Sequence, residues 1–415
     1  MKIIILILVL IISISTNAEI IIPMDETQAN HLKAYGVAFA ALKNENVVKW
    51  LLNYRGGSFL IFDSADMEML CNVRGVNYEK ISASNVVTIL FEMEAENMNA
   101  VNLEKEPKIA IYTPPNSQPW DDAVTLALTF AQIEYDTVWD EDVLSGKLEK
   151  YDWLHLHHED FTGQYGKFFG SFRNKDWYKE EVQISEKMAS DFGFGKVWKL
   201  KHAIAEKIRN YVKNGGFLFA MCAATDTFDI ALATKNVDIC HSVFDGDDFT
   251  PNFQQKLDFS RTFAFTDFEI FTNPYQYEFS TIDASDYAQL RGAEADYFQL
   301  FDFSAKYDPV PTMLTQCHTN IINGFLGQTT SFQKKYVKKN VIILAEVPQM
   351  DEVKYLHGNF GKGTFTFYGG HDPEDYQHRI GDPETVLDLH KNSPGYRLIL
   401  NNILFPAAEK KKLKT

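Results

Sequence analysis

Three stretches carry residue types that could do chemistry. The apolar run Phe217-Leu218-Phe219-Ala220-Met221-Cys222 reads as a buried parallel-type strand and leads straight into Ala223 and Ala224. A thiol at a strand-to-helix turn is held out at the carboxyl edge of a sheet. The next helix N-terminus lowers its pKa, and the Ala223 backbone N–H is placed to hold an oxyanion. Small neighbours such as Ala220, Ala223 and Ala224 suit that turn, and they equally suit a cysteine that merely ends a core strand. The second stretch is Tyr368-Gly369-Gly370-His371-Asp372-Pro373-Glu374. Its two glycines allow a close backbone approach, and His371 can act as a general base with Glu374 or Asp372 orienting the ring. A solvated turn is the alternative.

The third stretch is His155-Leu156-His157-His158-Glu159-Asp160. Alternation along a strand puts His155 and His157 on one face, with His158, Glu159 and Asp160 in the loop at its carboxyl end. Imidazole and carboxylate suit zinc, iron or manganese, so His155, His157 and His158 form a candidate metal cluster. No H-E-x-x-H is present. The other reading makes His157, His158, Glu159 and Asp372 substrate-contacting or hydrogen-bonding groups, with no metal or cofactor.

These stretches need a scaffold that gathers strand ends. Residues 19–105 predict an N-terminal α/β unit. Its strands fall at Glu19–Asp25, Val47–Tyr54, Phe59–Asp63 and Val86–Phe91, its helix at Gln28–Lys43, and its linker at 92–107. A second series starts with a strand at Ile109–Tyr112 and a helix at Trp120–Gln132 that carries Asp121 and Asp122 at its positive end. Strands at Tyr135–Trp139 and Trp153–His157 and a helix at Val197–Lys213 follow, the helix closed by Gly215-Gly216. Later strands at Val341–Ala345 and Gly363–Tyr368 and a helix at Pro394–Leu404 complete it. In an open parallel sheet, function collects outside the carboxyl ends of the strands.

Residues 241–304 hold 16 aromatics with 12 acidic and 3 basic residues, a net of −9. They read as an insertion spanning 241–340. Phe263, Phe265 and Phe268 suggest a strand with one apolar face. Tyr275, Tyr277, Tyr287 and Tyr297 suit stacking on a glycan or peptide near the site.

The 415 residues exceed what one hydrophobic core usually serves. A net charge of −16 argues against nucleic acid and anionic membrane surfaces. Lys2, the apolar run Ile3–Ile12 and the small residues before Glu19 predict a secretory signal peptide over 1–18. The expected product is exported, periplasmic or extracellular, with no stable membrane span after cleavage and no ATP or NAD(P)H to use. The four cysteines permit a bridge between Cys240 and Cys317 in that compartment. Residues 407–415 form a basic tail.

The elbow Ala220-Met221-Cys222-Ala223-Ala224 and the strand end Gly370-His371-Asp372-Pro373-Glu374 resemble the class I glutamine amidotransferase-like superfamily. That superfamily places its cysteine in G-x-C-x-G and a late strand end in F-H-P-E. The strand end is also similar to the ThuA-like branch, which looks tied to sugar metabolism. The resemblance covers roughly 107–240 and 340–406. It implies a mostly parallel flavodoxin-like sheet and a thiol hydrolase acting on an amide, with Cys222 as nucleophile, His371 as base and Glu374 as orienter. Over its whole length the chain also resembles exported bacterial proteins labelled "asparagine synthetase B". Pro23-Met24-Asp25-Glu26, Trp50–Phe59 and Tyr151–Gly166 carry this likeness. Glu19 stands at the expected mature start and no S-G-G-x-D-S loop occurs, so ATP-dependent asparagine synthesis is not expected. Three readings result. They are a Cys-His hydrolase, a non-catalytic envelope protein binding glycan or peptide, and a metal-dependent hydrolase.

Overall fold

The computed structural model describes residues 18–409. The expected signal peptide, up to Asn17, and the part of the expected basic tail beyond Glu409 lie outside the described residues. The chain is mixed α/β, built on two sheets. The first contains β1 (Glu19–Ile22), β2 (Val48–Leu52), β3 (Ser58–Phe62), β4 (Glu79–Ile81) and β5 (Asn99–Leu103) in the order β4-β1-β3-β2-β5, all antiparallel. The expected α/β unit is therefore an antiparallel sheet, because β2 and β3 form a hairpin around the turn at Gly56-Gly57 instead of a crossover.

Two other expectations fail in this region. Val86–Phe91 lies within a helix, Ala83–Ala95, whose first turn is capped by Ser82 accepting the Asn85 N–H. The supposed linker supplies the end of that helix and then β5.

The second sheet contains β6 (Ile109–Tyr112), β7 (Asp136–Val138), β8 (Trp153–Leu156), β9 (Phe217–Met221), β10 (Tyr297–Leu300), β11 (Ile321–Asn323), β12 (Phe332–Gln333), β13 (Ile342–Glu346), β14 (Glu352–Phe360) and β15 (Gly363–Tyr368). Its order is β11-β10-β13-β14-β15-β9-β8-β6-β7, with β12 on β14. The five strands β7, β6, β8, β9 and β15 run parallel. From β15 outward every pairing is antiparallel, so the sheet is mixed, not mostly parallel. Strands β10, β11 and β12 fall within 241–340, so that stretch returns to the sheet instead of leaving it. Phe263, Phe265 and Phe268 are buried but form no strand. The Asp229 carboxylate ties the turn there by accepting the N–H groups of Phe263, Ala264 and Phe265 at 2.6–2.9 Å.

Helices His31–Lys43, Ala123–Ala131 and Pro394–Leu404 pack between the two sheets. Gly36 makes this possible: a Cβ there would lie 1.8 Å from the Ala131 carbonyl oxygen. On the other face of the second sheet lie Val197–Asn214 and Ala224–Ala233. All four cysteines are free thiols. Cys240 is buried in the core on this outer face and Cys317 packs against the core between the sheets, which is why no bridge joins them. Among the described residues no helix is long and apolar enough to cross a membrane.

Candidate functional site

Strands β8, β9 and β15 are neighbours and parallel, so their carboxyl ends deliver His157, Cys222 and His371 to one edge. The loop after β15 is drawn in tightly. The Gly370 N–H donates to Thr329 O at 2.7 Å and the His371 N–H to Leu326 O at 2.8 Å. A Cβ on Gly369 would meet the Thr330 carbonyl oxygen at 2.5 Å, so the two glycines do serve a close approach.

Cys222 adopts a left-handed backbone, φ +48°, which is strained for a residue with a side chain. Its N–H donates to Gly370 O at 3.1 Å, and its Sγ accepts the Gln328 N–H at 3.1 Å. The Ala223 N–H also favours the thiolate, but burial outweighs these donors and pushes the thiol up to about 11. No hydrogen bond joins the thiol to His371, whose two ring nitrogens are buried without partners. Glu374 lies 3.2 Å from His390 Nδ1, not on His371. Asp372 Oδ1 accepts from Tyr396 Oη at 2.7 Å and from the Glu374 N–H at 3.1 Å.

The histidines converge instead on one another. The rings of His157 and His371 are 4.3 Å apart, those of His158 and His371 5.5 Å, and His378 stacks on His371 at 4.1 Å. His157, His158 and His371 each bring one ring nitrogen within 4.8 Å of the others. His155 stays out of this trio. Its Nδ1 faces the Phe219 carbonyl at 3.1 Å and its Nε2 faces Asp122 at 3.4 Å. Thus His371 takes the place that the sequence pattern gave to His155.

Asp122, in sequence a helix-end acid, has a second role here. Its Oδ1 caps Ala123–Ala131 by accepting from the N–H groups of Val124 and Thr125, both at 2.8 Å. That leaves Oδ2 pointing at His155 Nε2 and at His157 Nδ1, 3.2 Å away. These are ion-pairing distances without hydrogen-bond alignment. They favour a proton on His157 Nδ1 and a free lone pair on Nε2, as a carboxylate does behind a ligating histidine. The local signal was Asp121-Asp122 before an apolar helix, which says nothing about the face of the second oxygen.

Burial holds His158 and His371 well below the ordinary imidazole range, with the neighbouring histidines adding to it. Burial also lowers His157, but Asp122 outweighs it and the net shift is upward. Glu159 is raised to about 8 by burial, although its Oε2 accepts the His157 N–H at 2.8 Å. A cavity of about 50 Å³ adjoins the cluster, lined by His158, Glu159, Asp160, Trp120, Phe168 and Trp177. Of the four tyrosines expected near the site, Tyr275, Tyr287 and Tyr297 are exposed and Tyr277 is half-buried. Tyr277 packs on Phe168, which lines the cavity, whereas Tyr275 packs on Phe169, which does not. Tyr297 lies in β10, three strands beyond β15.

No family model and no curated protein matches the chain. Among solved structures it is similar to cytoplasmic protein STM3548 from Salmonella typhimurium, with a TM-score of 0.37 and 10% identity over 73% of this chain and 100% of that one. Cytoplasmic protein STM1381 from Salmonella typhimurium LT2 gives 0.33 and 13% over 73% and 100%. Gan42B, a GH42 beta-galactosidase, gives 0.28 and 10% over 65% of this chain and 28% of that one. Likeness at this level carries no functional argument.

Proposed function

We propose that the protein is a metal-dependent hydrolase whose divalent cation is held by His157, His158 and His371. The observation that carries this is the convergence of His157, His158 and His371 at the carboxyl edge, with both ring nitrogens of His157 and of His371 buried without hydrogen-bond partners. Buried polar atoms are almost always paired, and three histidines with a carboxylate behind one of them form a familiar donor set for zinc. A cation bound by three imidazoles supplies a water acidified toward pH 7 and an open coordination position. The chain's own contribution begins with Asp122, which fixes the His157 tautomer. Glu159, on the wall of the adjoining cavity, is placed to exchange a proton with a leaving group there.

Metal analysis of the purified full chain tests this. We expect about one zinc-class ion per chain after reconstitution, and its loss in His371→Ala. Hydrolysis of a panel of nitrophenyl esters and anilides should vanish with chelator and return with metal. A chain that binds no metal, or that hydrolyses equally well in chelator, refutes the reading.

A second reading, the thiol hydrolase, draws support from the left-handed turn at Cys222. It also draws support from the order of the parallel strands. Numbered along the chain, β7-β6-β8-β9-β15 runs 2-1-3-4-5, the flavodoxin-like order. The raised thiol and the separation of Glu374 from His371 favour the metal reading.

A further inference from the structure

The Trp120 indole N–H donates to His158 Nε2. A neutral imidazole has one lone pair. With that pair on the indole, His158 Nδ1 carries the proton and offers nothing to a metal. In this arrangement His157 and His371 are ready to ligate and His158 is not.

The same indole closes the cavity. Its ring lies 5.4 Å from both Phe168 and Trp177, and all three line the space beside His158 and Glu159. About 50 Å³ is room for a few waters, whereas small-molecule sites run to about 300–1,000 Å³. One side chain therefore blocks the third ligand and also fills the place where a substrate would sit. Trp120 stands in the irregular stretch between β6 and the helix Ala123–Ala131. It is followed by the Asp122 cap and preceded by a single backbone bond from Gly381 N–H to Pro119 O at 2.8 Å.

We propose that Trp120 is a metal-linked gate over a substrate subsite. Cation binding to His158 either takes the Nε2 lone pair or, at Nδ1, moves the ring proton to Nε2; either way it releases the indole and opens a space between Phe168, Trp177 and Glu159. This rests on the metal reading above. The walls also state the chemical class. They present aromatic faces and the acids Glu159, Asp160 and Glu181, and their one cation, Lys201, is already bound to Asp140 at 3.0 Å. An anion finds no free partner there. The subsite fits an uncharged, ring-bearing part of the substrate.

Zinc titration of the full-length wild type and Trp120→Phe tests the gate, since phenylalanine keeps the packing but has no N–H. We expect Trp120→Phe to bind Zn²⁺ about three- to tenfold tighter, the worth of one hydrogen bond no longer broken. Zinc should shift the wild-type indole emission and leave that of Trp120→Phe unmoved. Histidine-selective ¹⁵N NMR of the wild type alone should show the His158 Nε2 resonance leaving its indole-bonded position when zinc is added. Benzamide, but not benzenesulfonate, should bind only the zinc form. Equal zinc affinity and equal emission change in the two proteins, an unmoved His158 Nε2, or benzamide binding without zinc each overturns the gate while leaving the metal site standing. No zinc binding by either protein overturns both.

Discussion

Cys222 shows how burial can cancel a promising position. It has the left-handed turn and the donor N–H groups of an activated thiol, yet it is 1% exposed and its thiol is pushed up to about 11. At pH 8 about one molecule in a thousand would carry the thiolate. Iodoacetamide at pH 8 should therefore modify half-buried Cys317 first and reach Cys222 only after denaturation. Fast labelling of Cys222 that disappears in His371→Ala would restore the thiol hydrolase reading. One helical turn on, Asp226 is buried and raised to about 7, with Oδ1 accepting from Thr329 Oγ1 at 3.1 Å. Its unfolded pKa is about 3.9. Between those values the folded state holds a proton that the unfolded state has lost, so stability falls as pH rises from about 4 to 7. Asp226→Asn keeps an acceptor for Thr329 and cannot ionise. Urea unfolding across pH 4–8 should show the variant gaining on the wild type through that window, by a few kcal/mol at pH 7, and level beyond it. A wild type that is the more stable protein at pH 7 would contradict this. The histidines and Cys222 were legible because their types are rare and their strands obvious. Asp122 and Trp120 were not, because their roles depend on which atom faces which ring across the fold.

At the scale of elements, legibility followed the length and flanks of apolar runs. Strands β9 and β15 and the helix Pro394–Leu404 lie where the sequence puts them. Each is an apolar run bounded by glycine or proline. The six residues Val86–Phe91 are apolar enough for a strand but belong to a helix of 13 residues. A short run cannot report its period, and the Ser82 cap was the better signal. Val87 and Phe91 are exposed on that helix, so its apolar content misled as to burial as well. Pairing direction was the harder failure. The alternation of strands and helices in 19–105 suggested crossovers, but only the turn at Gly56-Gly57 distinguishes a hairpin from them. In the same way, the aromatic stretch 241–304 gave no period-two pattern for β10, where exposed Tyr297 and Gln299 alternate with buried Phe298 and Leu300 over four residues. The site survived these errors because it needs only β8, β9 and β15, and the antiparallel additions fall beyond them.

The two sheets do not behave as separate bodies, although the charge and pattern of the sequence suggested a boundary near residue 105. One core runs from Ile20, Trp50 and Leu103 of the first sheet through the middle helices to Ile109, Phe219 and Tyr368 of the second. Arg397 fastens it. This side chain is fully buried on the helix Pro394–Leu404. Its Nη1 donates to Met24 O at 2.8 Å, Nη2 donates to Gly56 O, and Nε donates to Tyr35 Oη at 3.3 Å. These partners lie 341–373 residues away along the sequence, so this one side chain ties distant segments together. A guanidinium in such a place has no water to fall back on, and without it the polar groups it serves lose a buried donor, although Met24 O also faces His31 Nε2 at 3.0 Å. Arg397→Met should therefore cost about 3 kcal/mol or more, well above the change expected at a surface arginine. If the shared core governs unfolding, heat or urea should melt residues 19–409 in one transition seen alike by tryptophan emission and by far-ultraviolet circular dichroism. Arg397→Met should move that whole transition. Two separated transitions in the wild type, with the variant shifting only one, would mean that the first sheet is a unit of its own and that the cation site on the second sheet can form without it.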